Sequence, residues 1–247
     1  MSANIYNKKT RKMKKNELEI IKEGKTGHGI LIENDGYISL DETTHNRQLK
    51  ESIESGEWNV PYPFVVDAVF QKFGIKNANG RIYPENVLKK QVELYQEKIN
   101  DNRAYGELNH PAESTIDLGR ISHNIKELHW EGRTLVGKMV INTSEGFRKH
   151  GIVTTCGDHA ANLLMNGYKI GVSSRGVGSV EQKLGQYIVG EDFELICWDI
   201  VSEPSTPGAF ISNEEGDLTQ YVENNQTQKD KNIINEKISK IKQVLNS

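Results

Sequence analysis

All three tryptophans and all six prolines of this 247-residue chain fall between Trp58 and Pro207. Large aromatic side chains stabilise a fold chiefly when buried, and prolines punctuate a chain that turns back on itself. The core is therefore expected in residues 58–211. Residues 1–57 are polar and rich in charge, with one apolar island at Ile30-Leu31-Ile32, and read as an N-terminal arm. After Ile211 the chain turns to Asn, Gln, Glu and Lys, so residues 212–247 read as a solvated tail. Within that tail Ile234, Ile238, Ile241 and Leu245 recur at helical spacing. Such a stripe serves a frayed helix packed on its own domain or a helix docked on a partner, and the spacing does not choose.

Inside the centre the periodicities mix. Pro84 followed by Leu88, Val92, Tyr95 and Ile99 predicts an amphipathic helix. Asp158 is expected to cap a short helix through Met165, stopped at Gly167. Strands are expected over 120–128, 134–142, 169–174, 186–189 and 193–201, with Gly132 turning a hairpin. Successive strands with irregularly placed helices point to an α+β fold rather than a doubly wound sheet.

Composition removes several function classes. Lys and Arg number 31 against 34 Asp and Glu, a net charge of −3, which disfavours a dedicated nucleic-acid binder. The basic cluster at Lys8, Lys9, Arg11, Lys12, Lys14 and Lys15 precedes no apolar run, so it reads as a solvated arm rather than a secretory signal. No stretch approaches the length of a membrane span. Two cysteines, Cys156 and Cys197, cannot build a disulfide framework. A soluble intracellular protein is the expectation.

Three segments set reactive side chains among turn-formers. In Gly106-Glu107-Leu108-Asn109-His110-Pro111 the proline holds His110 extended at a bend, where an imidazole can act as a general base or simply satisfy a turn. In Gly171-Val172-Ser173-Ser174-Arg175-Gly176-Val177-Gly178, glycines leave room beside two serines. Strand alternation puts Ile170, Val172 and Ser174 on the buried face and Ser173 on the open one, making Ser173 the better nucleophile. The same glycines lack the Gly-Lys-Ser/Thr of a phosphate loop and the third glycine of a dinucleotide fingerprint; a glycine-rich bulge remains an equal reading. In Phe193–Val201, Asp199 shares a strand face with Phe193, Leu195, Cys197 and Val201. A buried carboxylate needs a donor, and His110 is one candidate; solvent or a backbone amide is another. His150, Cys156 and His159 have ligand-like spacing but lack a second clustered pair, so no metal is assigned.

Taken together and in order, these segments resemble the prohead core proteases of T-even-type tailed phages, with Asn79-Gly80-Arg81-Ile82-Tyr83-Pro84 resembling that family's entry to its first long helix. The resemblance spans about residues 64–211. It implies a mainly antiparallel β-barrel with surrounding helices, similar to the herpesvirus assembly proteases. It implies a serine endopeptidase, needing no cofactor, that works inside the prohead in the host cytoplasm on scaffold, core and major capsid proteins. By motif the family's base falls on His110 and its nucleophile on Ser173. Asp199 matches the acidic residue that orients the histidine, and amides around Ser174, Arg175 and Gly176 are candidate oxyanion donors, with Arg175 alternatively bracing the segment through a carboxylate. The family's habit of cutting after Glu, itself included, implies propeptide-like ends and candidate bonds after Ile21-Lys22-Glu23, Leu40-Asp41-Glu42 and Ile234-Asn235-Glu236. Self-association is open. The principal rival is a non-enzymatic virion or scaffold component retaining the same fold; an esterase and a basic-armed binding module rank below it.

Overall fold

The computed structural model describes residues 18–22, 24–39 and 58–202, with single positions 47, 51, 54 and 55. The elements are β1 (Glu19–Ile20), β2 (Gly27–Ser39), β3 (Phe64–Lys72), β4 (Arg81–Ile82), α1 (Glu85–Asn100), β5 (Tyr105–Glu107), a 3₁₀ turn (Leu118–Arg120), β6 (Ile121–Glu131), β7 (Thr134–Ile141), α2 (Glu145–His150), α3 (Cys156–Met165), β8 (Gly171–Lys183), β9 (Gln186–Val189) and β10 (Glu194–Val201). This is a mixed α+β fold dominated by strands.

All ten strands join one sheet in the order β4-β9-β8-β2-β3-β7-β6-β5, with β10 on β8 and β1 on β2. The pairings are antiparallel except β1–β2 and β4–β9. The expected closed barrel is not found among the described residues. β5 and β10 lie side by side without a ladder between them; the pairing there is an isolated parallel bridge between Leu108, just past β5, and Ile200.

The sheet and α1 share the core. Phe64, Val66, Ala68 and Phe70 alternate along β3 and are all buried. On α1, Leu88, Val92, Tyr95 and Ile99 are buried, as the 3.6-residue period requires. Trp198 of β10 closes the space between them, edge-on to Phe70 at 5.4 Å and to Tyr95 at 5.0 Å between ring centres. Burying each such side chain contributes about 1.5–3 kcal/mol. α3 starts earlier than expected. Thr155 caps it, and Asp158 completes a capping box from the third helical position instead of serving as the cap itself.

Two expectations change in position. β2, drawn from the segment read as an arm, is a central strand between β8 and β3, with Leu31 and Ile38 fully buried. A bulge between Glu33 and Gly36 breaks its alternation, so only the Ile30–Ile32 island reads as apolar. The core therefore begins well before Trp58. β8 continues to Lys183 instead of ending at Ser174. Its glycines do not open a loop for substrate. A Cβ at Gly178 would lie 2.8 Å from Phe193 Cα, and one at Gly176 2.6 Å from Glu194 O, so both let Phe193 pack against the strand. The tail and its apolar stripe lie outside the described residues. No helix among those described is long and apolar enough to cross a membrane.

Candidate active site

The site is built where β8 is flanked on both edges. On one side β10 pairs in register, Asp199 opposite Ser173 and Trp198 opposite Ser174. Directly opposed residues point their side chains to one face, so Ser173 and Asp199 share a face, while Ser174 shares the core face with Trp198. On the other side β2 bulges. Glu33 pairs with Ser174 and Gly36 with Val172, leaving residues 34 and 35 across from the single residue Ser173. Bulges concentrate next to functional sites because they re-aim the chain locally.

His110 reaches this face from the end of β5. Asn109 adopts a positive φ of 65°, which asparagine tolerates better than most residues, and donates its backbone N–H to Ile200 O at 2.8 Å. Leu108 N–H donates to Arg120 O, and Arg120 Nη2 returns a bond to Leu108 O at 2.9 Å. Fixed in this way, the His110 ring bridges two groups. Nδ1 lies 2.8 Å from Asp199 Oδ2, and Nε2 is in hydrogen-bond contact with Ser173 Oγ. An ionised carboxylate only accepts, so Nδ1 carries the proton and Nε2 is left to accept the serine hydroxyl.

Asp199 is fully buried, and its carboxylate is saturated. Oδ1 accepts the Glu107 backbone N–H at 3.0 Å and Arg175 Nη2 at 3.3 Å; Oδ2 accepts Arg175 Nε at 2.9 Å besides His110. Burial pushes its carboxyl upward, but the His110 bond and the Arg175 charge outweigh it and hold the group below the ordinary aspartate range. Arg175, also fully buried, spans Asp199 and Glu107, with Nη2 3.1 Å from Glu107 Oε2, while Nη1 donates to Glu113 O at 2.7 Å. Of the two roles expected for Arg175, its side chain takes the carboxylate brace.

The three residues Ser174, Arg175 and Gly176 sit mid-strand, paired with β2 on one edge and β10 on the other. The amides expected as candidate oxyanion donors thus lie within a strand flanked on both edges. Ser173 and Ser174 are both buried, where an exposed Ser173 was expected, because the chain from Glu107 to Thr115 covers the outer face. They differ in partners. Ser174 Oγ has no hydrogen-bond partner among the described residues.

Several buried polar residues carry no clear signal in the sequence, among them Glu107 and His123 beside this site. Glu107 lies three residues before His110, where nothing local marks a carboxylate as buried. His123, on β6, contacts Ser122 Oγ through Nδ1 at 2.9 Å and Trp198 O through Nε2 at 3.1 Å. Burial lowers its value to about 4, so it is neutral near pH 7. Its one signal was a histidine inside an otherwise strand-like run. His150, Cys156 and His159 do not assemble a metal site, and no group of three candidate ligands occurs among the described residues. Cys156 and Cys197 are free thiols.

A family model described as prohead core protein serine protease matches residues 31–238. The chain belongs to that family. A relative in Enterobacteria phage T4, the prohead core protein protease, is 32% identical over 161 residues, covering 64% of this chain and 72% of that protein. The solved structure of the bacteriophage T4 capsid assembly protease superposes with a TM-score of 0.54 at 26% identity, covering 70% of this chain and 96% of that one. The family match begins inside β2, in agreement with that strand's place in the sheet, and extends past the expected domain limits at both ends.

Proposed function

We propose that this prohead core protease is a serine endopeptidase in which Ser173 is the nucleophile, His110 the general base and Asp199 the orienting acid. The observation that carries this is the unbroken chain of contacts from Ser173 Oγ through both ring nitrogens of His110 to Asp199 Oδ2. His110 takes the Ser173 proton as Oγ attacks the peptide carbonyl, then returns it to the leaving amine. Asp199 holds the tautomer and balances the imidazolium. Ser174 lacks a base and is not the nucleophile.

The substrates are scaffold, core and major capsid proteins inside the immature capsid, a reading supported by the names of the T4 relatives. Cleavage after Glu, and of the chain's own ends, belongs to the same reading. The three candidate glutamates, Glu23, Glu42 and Glu236, lie outside the described residues. Ile21, two residues before Glu23, is buried, and its carbonyl accepts Arg81 Nη2 at 2.6 Å. A herpesvirus-protease-like barrel remains part of the proposal, supported by the Leu108–Ile200 bridge between the strands that would close it.

The test is the intact mass of wild type and Ser173→Ala after identical incubation, alone and with the phage's scaffold protein. Cleavage by wild type only, with new ends after Glu, is the expected result. Equal cleavage by both would remove Ser173 from the reaction, and no cleavage of the scaffold by wild type would favour the non-enzymatic rival.

A further inference from the structure

Asp199 Oδ2 is shared by a standing cation, Arg175 Nε at 2.9 Å, and by one that forms in the reaction, His110 Nδ1 at 2.8 Å. A guanidinium balanced by this one carboxylate would form a neutral pair, and an imidazolium beside a neutral pair gains little. A second carboxylate alters that balance. Glu107, fully buried at the end of β5, meets the same guanidinium through Oε2 at 3.1 Å, and its Oε1 accepts the Asp117 backbone N–H. Glu107, Arg175 and Asp199 together carry one net negative charge, and water screens little of it because all three are fully enclosed.

We propose that Glu107 is a positioning residue for the reaction: by holding the far side of Arg175, it leaves Asp199 with uncancelled negative charge for the His110 imidazolium. The proposal rests on the triad reading above.

The other groups facing the cluster do not supply that charge. Burial raises the Cys197 thiol, whose Sγ lies 3.3 Å from both Arg175 Nη2 and Asp199 Oδ1, so it stays protonated. Burial likewise raises Tyr95 of α1 and keeps His123 of β6 neutral. Lys98 of α1 and Arg120 of the 3₁₀ turn are cations bound to the carbonyls of Ile196 and Leu108. The Asp117 carboxylate is exposed and accepts from Gly119 N–H at the turn. The backbone N–H of Glu107 that binds Asp199 survives any side-chain change, so a substitution isolates the carboxylate.

The experiment follows the rate at which diisopropyl fluorophosphate phosphorylates serine, with loss of fluoride, against pH, with folding checked by thermal unfolding. Ser173→Ala comes first. If it still labels at the wild-type rate, the triad reading fails, whatever Glu107 does. With labelling assigned to Ser173, Glu107→Gln is expected to lower the plateau rate about tenfold and move the acidic limb about one unit to lower pH. Arg175→Gln is expected to move that limb to higher pH, and the double variant to return it near the wild-type midpoint. Glu107→Asp keeps the charge, so it should lower the plateau and leave the limb in place. Limbs that stay fixed, or shift the same way in both single variants, overturn the proposal. If Glu107→Gln does not fold, Arg175→Gln and the double variant decide; if none of the three folds, Glu107 is structural only and the proposal fails.

Discussion

Two buried arginine–carboxylate clusters lie on opposite faces of β8, beside the adjacent residues Ser174 and Ser173, and only one of them is wired to a base. On the core face Glu33 accepts from Arg81 Nη1, from Tyr83 OH at 3.0 Å, and from the Asn77 and Asn79 side-chain amides at 2.6 and 2.8 Å. Arg81 also holds Ile21 O, so the cluster ties β1, β2 and the turn before α1 together. On the outer face one arginine serves two carboxylates, and capacity remains for His110. The net balance differs accordingly. Burial raises Glu33 despite Arg81 and the neutral donors, whereas Asp199 ends below its ordinary range. What separates a structural clasp from a chemical site here is the ratio of carboxylates to donors and whether an imidazole completes the set.

The contrast can be broken hardest at Asp199. Asp199→Asn should leave His110 without a carboxylate to hold its tautomer and lower kcat about 10⁴-fold, with KM little changed. Active-site titration alongside thermal unfolding separates this from misfolding. Glu33→Gln should behave in the opposite way. It leaves Arg81 buried with no counter-charge and should cost about 3–5 kcal/mol of stability. The molecules that remain folded should show an unshifted pH–rate profile. A profile that moved with Glu33 would mean that the two faces of β8 are electrostatically one site.

The sequence singles out each member of the proposed trio by a local feature but leaves each a structural alternative, and it is the family resemblance that groups them. Pro111 restrains His110, strand alternation separates Ser173 from Ser174, and Asp199 falls on a strand face where a carboxylate needs a partner. Glu107 and β2 were not legible, for physical reasons. The role of Glu107 depends on Arg175, 68 residues away, a pairing that no local pattern encodes. β2 conceals its alternation behind the bulge that sits across from Ser173, so the feature beside the site is the one that hid the strand. Nor does a local pattern encode whether β5 and β10 join in a ladder; among the described residues they share only the bridge between Leu108 and Ile200.

His123 offers a smaller effect that reads the space behind Asp199. It is buried and neutral, its value lowered from the ordinary 6.5 to about 4. In the unfolded chain it binds a proton below 6.5, so its contribution to stability is present above that pH and is lost as pH falls from 6.5 towards 4. The loss amounts to about 3 kcal/mol across that window. His123→Gln should flatten this part of the stability curve, as denaturant titrations at a series of pH values would show. If the slope persists, other groups govern acid unfolding, and the Asp199 surroundings are more solvated than their burial implies.

The mildest change tests how far the core-face cluster depends on β1. Gly29 is where β1 lies on β2, and a Cβ there would overlap the Glu19 carbonyl oxygen. Gly29→Ala must therefore push β1 away, and with it the Ile21 carbonyl that Arg81 Nη2 holds. Glu33 keeps its four donors, all of which come from residues 77–83. The expected cost is about 1–3 kcal/mol, typical of overpacking, with protection lost at the amide of Ile21, which donates to Ile30 O. Hydrogen exchange reads that amide directly. The rate of Ser173 labelling should stay at the wild-type level, because nothing on the outer face of β8 touches β1 among the described contacts. A slowed labelling rate would instead make β1 part of the frame that holds Ser173 in register with Asp199.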